Sequence, residues 1–105
     1  MKRLLLLIII CISSVSFGQV PVIEWQKSLG GDSTDYAYSI QQTTDGGYIV
    51  AGLSTSTDGD VTGSNGSSDY WIVKLDASGN ITWQKSLGGS NDDWAYSIQQ
   101  TTDGG

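Results

Sequence analysis

The sequence predicts an all-β fold built from four-stranded antiparallel units, and two observations carry that prediction. First, the chain repeats itself: WQKSLGG at residues 25–31 returns at 83–89, and SIQQTTDGG at 39–47 returns at 97–105. The offset is 58 residues in both cases, and residues 25–47 agree with 83–105 at 19 of 23 positions. Self-similarity at a fixed period marks one supersecondary unit copied in tandem. Second, apolar and aromatic residues alternate with polar ones in short runs separated by Gly-, Asp- and Asn-rich turns, with no helical period of useful length.

Each element follows from local chemistry. Residues 36–43 form a strand, the turn Asp45-Gly46-Gly47 reverses the chain, and residues 47–53 return beside it, because glycine supplies the positive φ that a tight hairpin requires. Residues 69–76 form the third strand, with Trp71, Val73 and Leu75 alternating against Tyr70, Ile72 and Lys74. The turn at residues 77–80 leads to a fourth strand over 80–87. Between the hairpins lie residues 54–68, a run of Ser, Thr, Gly, Asp and Asn with Val61 as its one apolar member. Such a segment cannot bury itself and belongs on the surface. Residues 22–29 read as a further strand, a copy of the last strand of a unit, and residues 93–101 read as a copy of its first strand.

Four antiparallel strands per copy is the unit of a β-propeller blade, whose two apolar faces are covered by neighbouring blades. The unit is longer than the usual propeller repeat of about 40–50 residues, and the 54–68 loop accounts for the excess. A sandwich of duplicated halves is the competing architecture. Residues 36–89 would be the first full blade, 19–35 a last-strand copy with its connecting loop, and 90–105 a truncated second repeat, making an incomplete fragment of about one and a half repeats. Such a fragment leaves sheet faces uncovered, so residues 19–105 are not expected to be stable as an isolated single copy. Trp25, Tyr36, Tyr38, Tyr48, Tyr70, Trp71, Trp83, Trp94 and Tyr96 are expected to pack between blades, stacking on sugar rings being the other use for such residues.

The amino terminus reads as a secretory signal peptide over residues 1–18. Lys2 and Arg3 precede a nine-residue apolar run, residues 4–12, and Ser16-Phe17-Gly18 suits cleavage before Gln19. The run is too short to cross a bilayer, which needs roughly 20 residues, so no membrane insertion is expected after cleavage. The one cysteine, Cys11, lies within it, leaving an exported chain without disulfides. Net charge is −6, and loss of Lys2 and Arg3 takes it to −8. That balance disfavours nucleic acid or anionic membrane as partners.

The residues for catalysis are sparse. There is no histidine, residues 19–105 contain neither cysteine nor arginine, and Glu24 is the only glutamate. Asp92-Asp93, and Asp32 with Asp35, resemble paired carboxylates but fit better as turn-forming caps after Gly-Gly. The Gly-Gly pairs lack phosphate-loop spacing. One metal motif emerges: Asp58, Asp60, Thr62, Ser64 and Asp69 fall at positions 1, 3, 5, 7 and 12 of a calcium-loop template, with Gly63 at position 6. Position 12 is Asp where a bidentate Glu is usual, so the alternative is a solvated loop without cofactor.

The runs WQKSLGGSNDDWAYSIQQTTDGG, GYIVAGLSTSTDGDV and DYWIVKLDASGNITWQKSLGG resemble the tandem repeats of secreted and cell-surface proteins of Bacteroidota, which often end in a type IX secretion sorting domain. The resemblance implies β-propeller-like repeats, export, and a role in adhesion, scaffolding or binding, with no catalytic residue to carry over. The expected function is therefore a non-catalytic extracellular repeat module that packs against further repeats and binds polysaccharide, protein or cell envelope. The alternative is an accessory region of a secreted polysaccharide-degrading enzyme.

Overall fold

A computed structural model describes residues 20–105, so the signal peptide and its cleavage point before Gln19 lie outside the described residues. Among the described residues there are four strands and no helix: β1 (Asp35–Gln42), β2 (Tyr48–Ser54), β3 (Asp69–Leu75) and β4 (Ile81–Leu87). They form one open antiparallel sheet in the order β1-β2-β3-β4.

The two tight turns share one construction. At residues 43–47, Thr43 N–H donates to Gly47 C=O (2.9 Å) and Gly46 N–H to Thr43 C=O (3.0 Å). At residues 76–80, Asp76 N–H donates to Asn80 C=O (2.8 Å) and Gly79 N–H to Asp76 C=O (3.1 Å). Each is a three-residue loop whose last member, Gly46 (φ 82°) or Gly79 (φ 84°), takes the left-handed conformation. An aspartate braces each one. Asp45 accepts from Gly47 N–H (3.0 Å) and the Thr43 hydroxyl, and Asp76 from the N–H groups of Ser78 and Asn80 (2.9 Å each).

Register sorts the side chains onto two faces. Tyr48, Val50, Gly52 and Ser54 share the first face with Leu75, Val73, Trp71 and Asp69. Ile49, Ala51 and Leu53 share the second with Lys74, Ile72 and Tyr70, continuing to Trp83, Lys85 and Leu87 on β4. The core lies on the first face: Val61, Trp71, Val73 and Leu75 are buried, with Trp25, Leu29, Tyr48, Val50 and Ile81 packed against them. Two segments outside the sheet close this face, residues 25–31 and the 55–68 loop that delivers Val61. Trp25 lies edge-on to Tyr48 (centroids 5.6 Å apart) and sits over Gly79, where a Cβ would come within 2.6 Å of its ring.

The second face is only partly covered. Ile49, Ala51 and Leu53 are buried, but Trp83 is 48% exposed, and Tyr70 and Leu87 also face outward. Residues 93–105 lie against this side, beside β1. Tyr96 meets Tyr38 at 5.3 Å, Gln100 N–H donates to the Gln41 side chain (3.3 Å), and Thr44 N–H to that of Gln100 (2.9 Å).

Two expectations differ from this arrangement. Residues 22–29 and 93–101 read as strands, yet neither is one here. A strand needs a partner edge, and both segments cross a face of the sheet instead. The boundaries of the four strands otherwise fall within about two residues of those expected, as is usual for element ends.

Leu75→Ala, at a site 2% exposed, is expected to destabilise the sheet by about 2–5 kcal/mol, whereas Ser78→Ala in the exposed turn should change stability by about 0.5 kcal/mol or less. The shift in urea midpoint at fixed slope checks both.

Candidate functional site

The densest polar arrangement gathers where residues 30–34 run past the 55–60 loop. Five successive backbone N–H groups each find a side-chain oxygen. Gly30 donates to Asp60 (3.1 Å), Gly31 to Asp35 (2.9 Å), Asp32 to Asp58 (2.8 Å), Ser33 to the Ser56 hydroxyl (3.0 Å) and Thr34 to the Thr55 hydroxyl (3.0 Å). Main-chain bonds reinforce the contact, Asp60 N–H to Gly30 C=O (3.0 Å) and Thr55 N–H to Thr34 C=O (2.9 Å). Asp35 is the hinge of this cradle: it also accepts from the hydroxyls of Ser54 and Ser56, both buried. Short side chains ending in oxygen are suited to this work, because they accept from a nearby backbone at little cost in rotamer entropy.

This placement bears on the calcium-loop residues. Asp58 and Asp60 face residues 30–32, each with an oxygen occupied by an N–H donor. Thr62 is tied to β4, its hydroxyl and N–H meeting the Gln84 amide and its carbonyl accepting from Ser86 (2.8 Å). Ser64 is half-buried farther along the loop. Asp69 is buried at the start of β3, where one oxygen accepts from the N–H groups of Asn65 and Gly66 and the other, Oδ1, has no partner. Among the described residues, no three carboxylate, histidine or cysteine side chains gather to hold a metal. Asp58, Asp60, Thr62 and Asp69 thus each have an oxygen that accepts from an N–H donor.

The acidic pairs are likewise engaged by backbone N–H groups and serine hydroxyls. Asp93 accepts from Gly89 N–H (2.8 Å), donates its own N–H to Ser68 C=O (2.8 Å), and Asp92 accepts from the Ser67 hydroxyl. Asp32 has its carboxyl pKa raised, first by a hydrogen bond with the Asp58 carboxylate and then by its charge. Asp45 is held well below the ordinary carboxylate range by the Thr43 hydroxyl, by Gly47 N–H and then by Lys74, whose ammonium lies 3.0 Å away. Asp76 and Asp103 are lowered by equivalent turn hydrogen bonds, from Asn80 and from the Thr101 hydroxyl first.

Aromatic rings form the other notable surface. Tyr36, Tyr38, Tyr96 and Trp94 follow one another at centroid spacings of 6.2, 5.3 and 6.2 Å, all substantially exposed.

No protein family, curated protein or solved structure matches this chain.

Two measurements follow from the carboxylates. Asp45 is depressed in the fold, so its contribution is present at neutral pH and is lost as pH falls below the unfolded value of roughly 3.9. Asp45→Asn should therefore flatten the fall of Tm between pH 5 and 2 (about the span in which it titrates). Asp32 has the opposite sign: its raised pKa disfavours the folded state as pH rises, so Asp32→Asn should raise Tm at neutral pH and lose that advantage in acid. With Asp58 and Asp60 already accepting N–H groups, millimolar calcium should leave Tm unchanged. A rise of several degrees that Asp69→Asn removes would make the loop a cation site.

Proposed function

We propose that this chain is a non-catalytic extracellular module of β-propeller-like repeats, which presents a binding surface for polysaccharide, protein or cell envelope. One observation carries the reading: local geometry recurs at the same 58-residue offset as the sequence. Gly31 N–H to Asp35 (2.9 Å) is matched by Gly89 N–H to Asp93 (2.8 Å). The Thr43–Gly47 turn bonds of 2.9 and 3.0 Å are matched by Thr101–Gly105 at 2.8 and 3.0 Å, with Asp45 and Asp103 in the same bracing role. Gly46 and Gly104 take φ values of 82° and 93°. Across the second face, Tyr96 lies over Tyr38, its own counterpart one offset earlier.

This pattern supports face-to-face stacking of units. A last-strand segment (residues 25–31) covers one face of the sheet and a first-strand segment (residues 93–101) covers the other. In such a stack the sheets supply rigidity, while the exposed row of Tyr36, Tyr38, Tyr96 and Trp94 remains to meet a ligand. The leader peptide and acidic surface suit an exported protein, in line with the secreted Bacteroidota repeats that the sequence resembles.

Fractionation of the producing cells tests the export half of the proposal. The chain should appear in the envelope or medium with its amino terminus at Gln19, and recovery from the cytoplasm with residues 1–18 intact would overturn it. Co-sedimentation of the secreted chain with cellulose, chitin and purified cell envelope tests the binding half. Retention on at least one is expected, reduced at least tenfold in a Tyr38→Ala/Tyr96→Ala variant, and failure on all three would overturn a binding role for this surface.

A further inference from the structure

The chain has three asparagines, Asn65, Asn80 and Asn91. An asparagine side-chain amide is open to attack by the backbone nitrogen of the next residue. The bulk of that next residue, the freedom of the amide and an acceptor for the N–H proton govern the attack. The fold treats the three unequally. Asn80 closes a tight turn: its Nδ2 donates to Asp76 Oδ2 (3.3 Å), its N–H to Asp76 Oδ1 (2.9 Å), and its C=O accepts from Asp76 N–H (2.8 Å). The β-branched Ile81, first residue of β4, follows it. Asn91 precedes Asp92, whose charged side chain crowds the nitrogen. Asn65 is exposed, lies in the 55–68 loop and precedes Gly66, which has no side chain to block the approach.

Asp69 supplies the acceptor. Its side chain is buried (1% exposed) at the start of β3, where Oδ2 accepts from Asn65 N–H and lies 3.4 Å from the Gly66 nitrogen, while Oδ1 has no partner. At that distance the Gly66 N–H is only loosely held and is not locked away from the neighbouring amide. A buried carboxylate with acceptor capacity to spare, beside a weakly bonded N–H, is placed to take its proton.

We infer that Asn65-Gly66 is a self-modifying site at which Asp69 acts as base. The Gly66 nitrogen bonds to Asn65 Cγ as Asp69 Oδ2 takes its proton. The Cγ–Nδ2 bond breaks, and the proton passes to the departing nitrogen, which leaves as ammonia. Water then opens the five-membered imide at either carbonyl, giving aspartate or isoaspartate at position 65. Water is the only co-reactant, and the inference stands with or without a binding role for the chain.

The product reaches the packing behind the loop. A Cβ on Gly66 would come within 2.5 Å of Gly89 C=O and 3.0 Å of Asn91 C=O, so the two main chains are already in close contact. Isoaspartate adds a methylene to the main chain just ahead of that glycine, and either product sets a second carboxylate beside Asp69. The bonds that tie this corner to residues 88–93, Asp93 N–H to Ser68 C=O (2.8 Å) and the Ser67 hydroxyl to Asp92, then loosen. The site is a clock: with age, the ordered link between the loop and the segment leaving β4 becomes slack.

Ageing the secreted chain in mildly alkaline buffer, folded and in urea, tests this by peptide mass mapping and isoaspartyl methyltransferase labelling. In the folded chain Asn65 should convert severalfold faster than Asn80 or Asn91, and faster than Asn65 in urea, where only its sequence neighbours act. Asp69→Asn should remove the excess over urea. Asn65→Gln, whose longer side chain cannot close the five-membered ring, should keep its Tm and the hydrogen-exchange protection of residues 88–93 during ageing. Wild type should lose both in step with conversion. Conversion in the folded chain no faster than in urea would overturn the role of Asp69. An aged wild type converted at Asn65 with protection of 88–93 intact would overturn the clock.

Discussion

Five consecutive backbone N–H groups, from Gly30 to Thr34, have to be satisfied before the first face of this sheet can be closed. The sheet supplies Trp71, Val73 and Leu75, but a single sheet cannot bury them alone. Trp25 and Leu29 complete the cluster, and they arrive on a segment outside the sheet, whose main chain would otherwise exchange water for nothing. Asp35, Thr55, Ser56, Asp58 and Asp60 solve that problem together. The hydrophobic core and the polar cradle are thus two halves of one contact. The cradle fixes where the segment lies, and Trp25, seated over the bare backbone of Gly79, supplies the apolar area.

The two faces are consequently unequal. On the first, a distant segment and a long loop both close over the core. On the second, Ile49, Ala51 and Leu53 are shielded, yet a band from Tyr70 through Trp83 to Leu87 remains open to solvent. Tyr38 against Tyr96 is a contact between a residue and its own repeat.

Much of this was legible in the sequence, and what was legible is local. The Asp-Gly turns announce themselves because their hydrogen bonds join residues two to four apart, as at Asp45 and Asp76. The alternation of Trp71, Val73 and Leu75 fixes β3 and the face that it buries. The cradle was not legible, since four of its five bonds couple residues 21 to 30 apart and depend on which backbone passes the loop. Asp58 and Asp60 belong both to the cradle and to the calcium-loop spacing, because cations and N–H groups seek the same oxygens. Residues 22–29 carry the composition of a strand, but pairing is decided by available edges, and in this sheet that segment meets a face.

Both edge strands carry an extra residue. The pairing of β1 with β2 skips Tyr38, between Ala37 and Ser39, and the pairing of β3 with β4 skips Thr82, whose hydroxyl turns back to the Lys74 carbonyl at 3.1 Å. Such bulges twist an edge and break the even row of donors and acceptors that an incoming strand would template upon. Lateral growth, the route by which exposed sheets become fibrils, meets a kinked border on either side. Such a border resists widening of the sheet into a continuous cross-β ribbon.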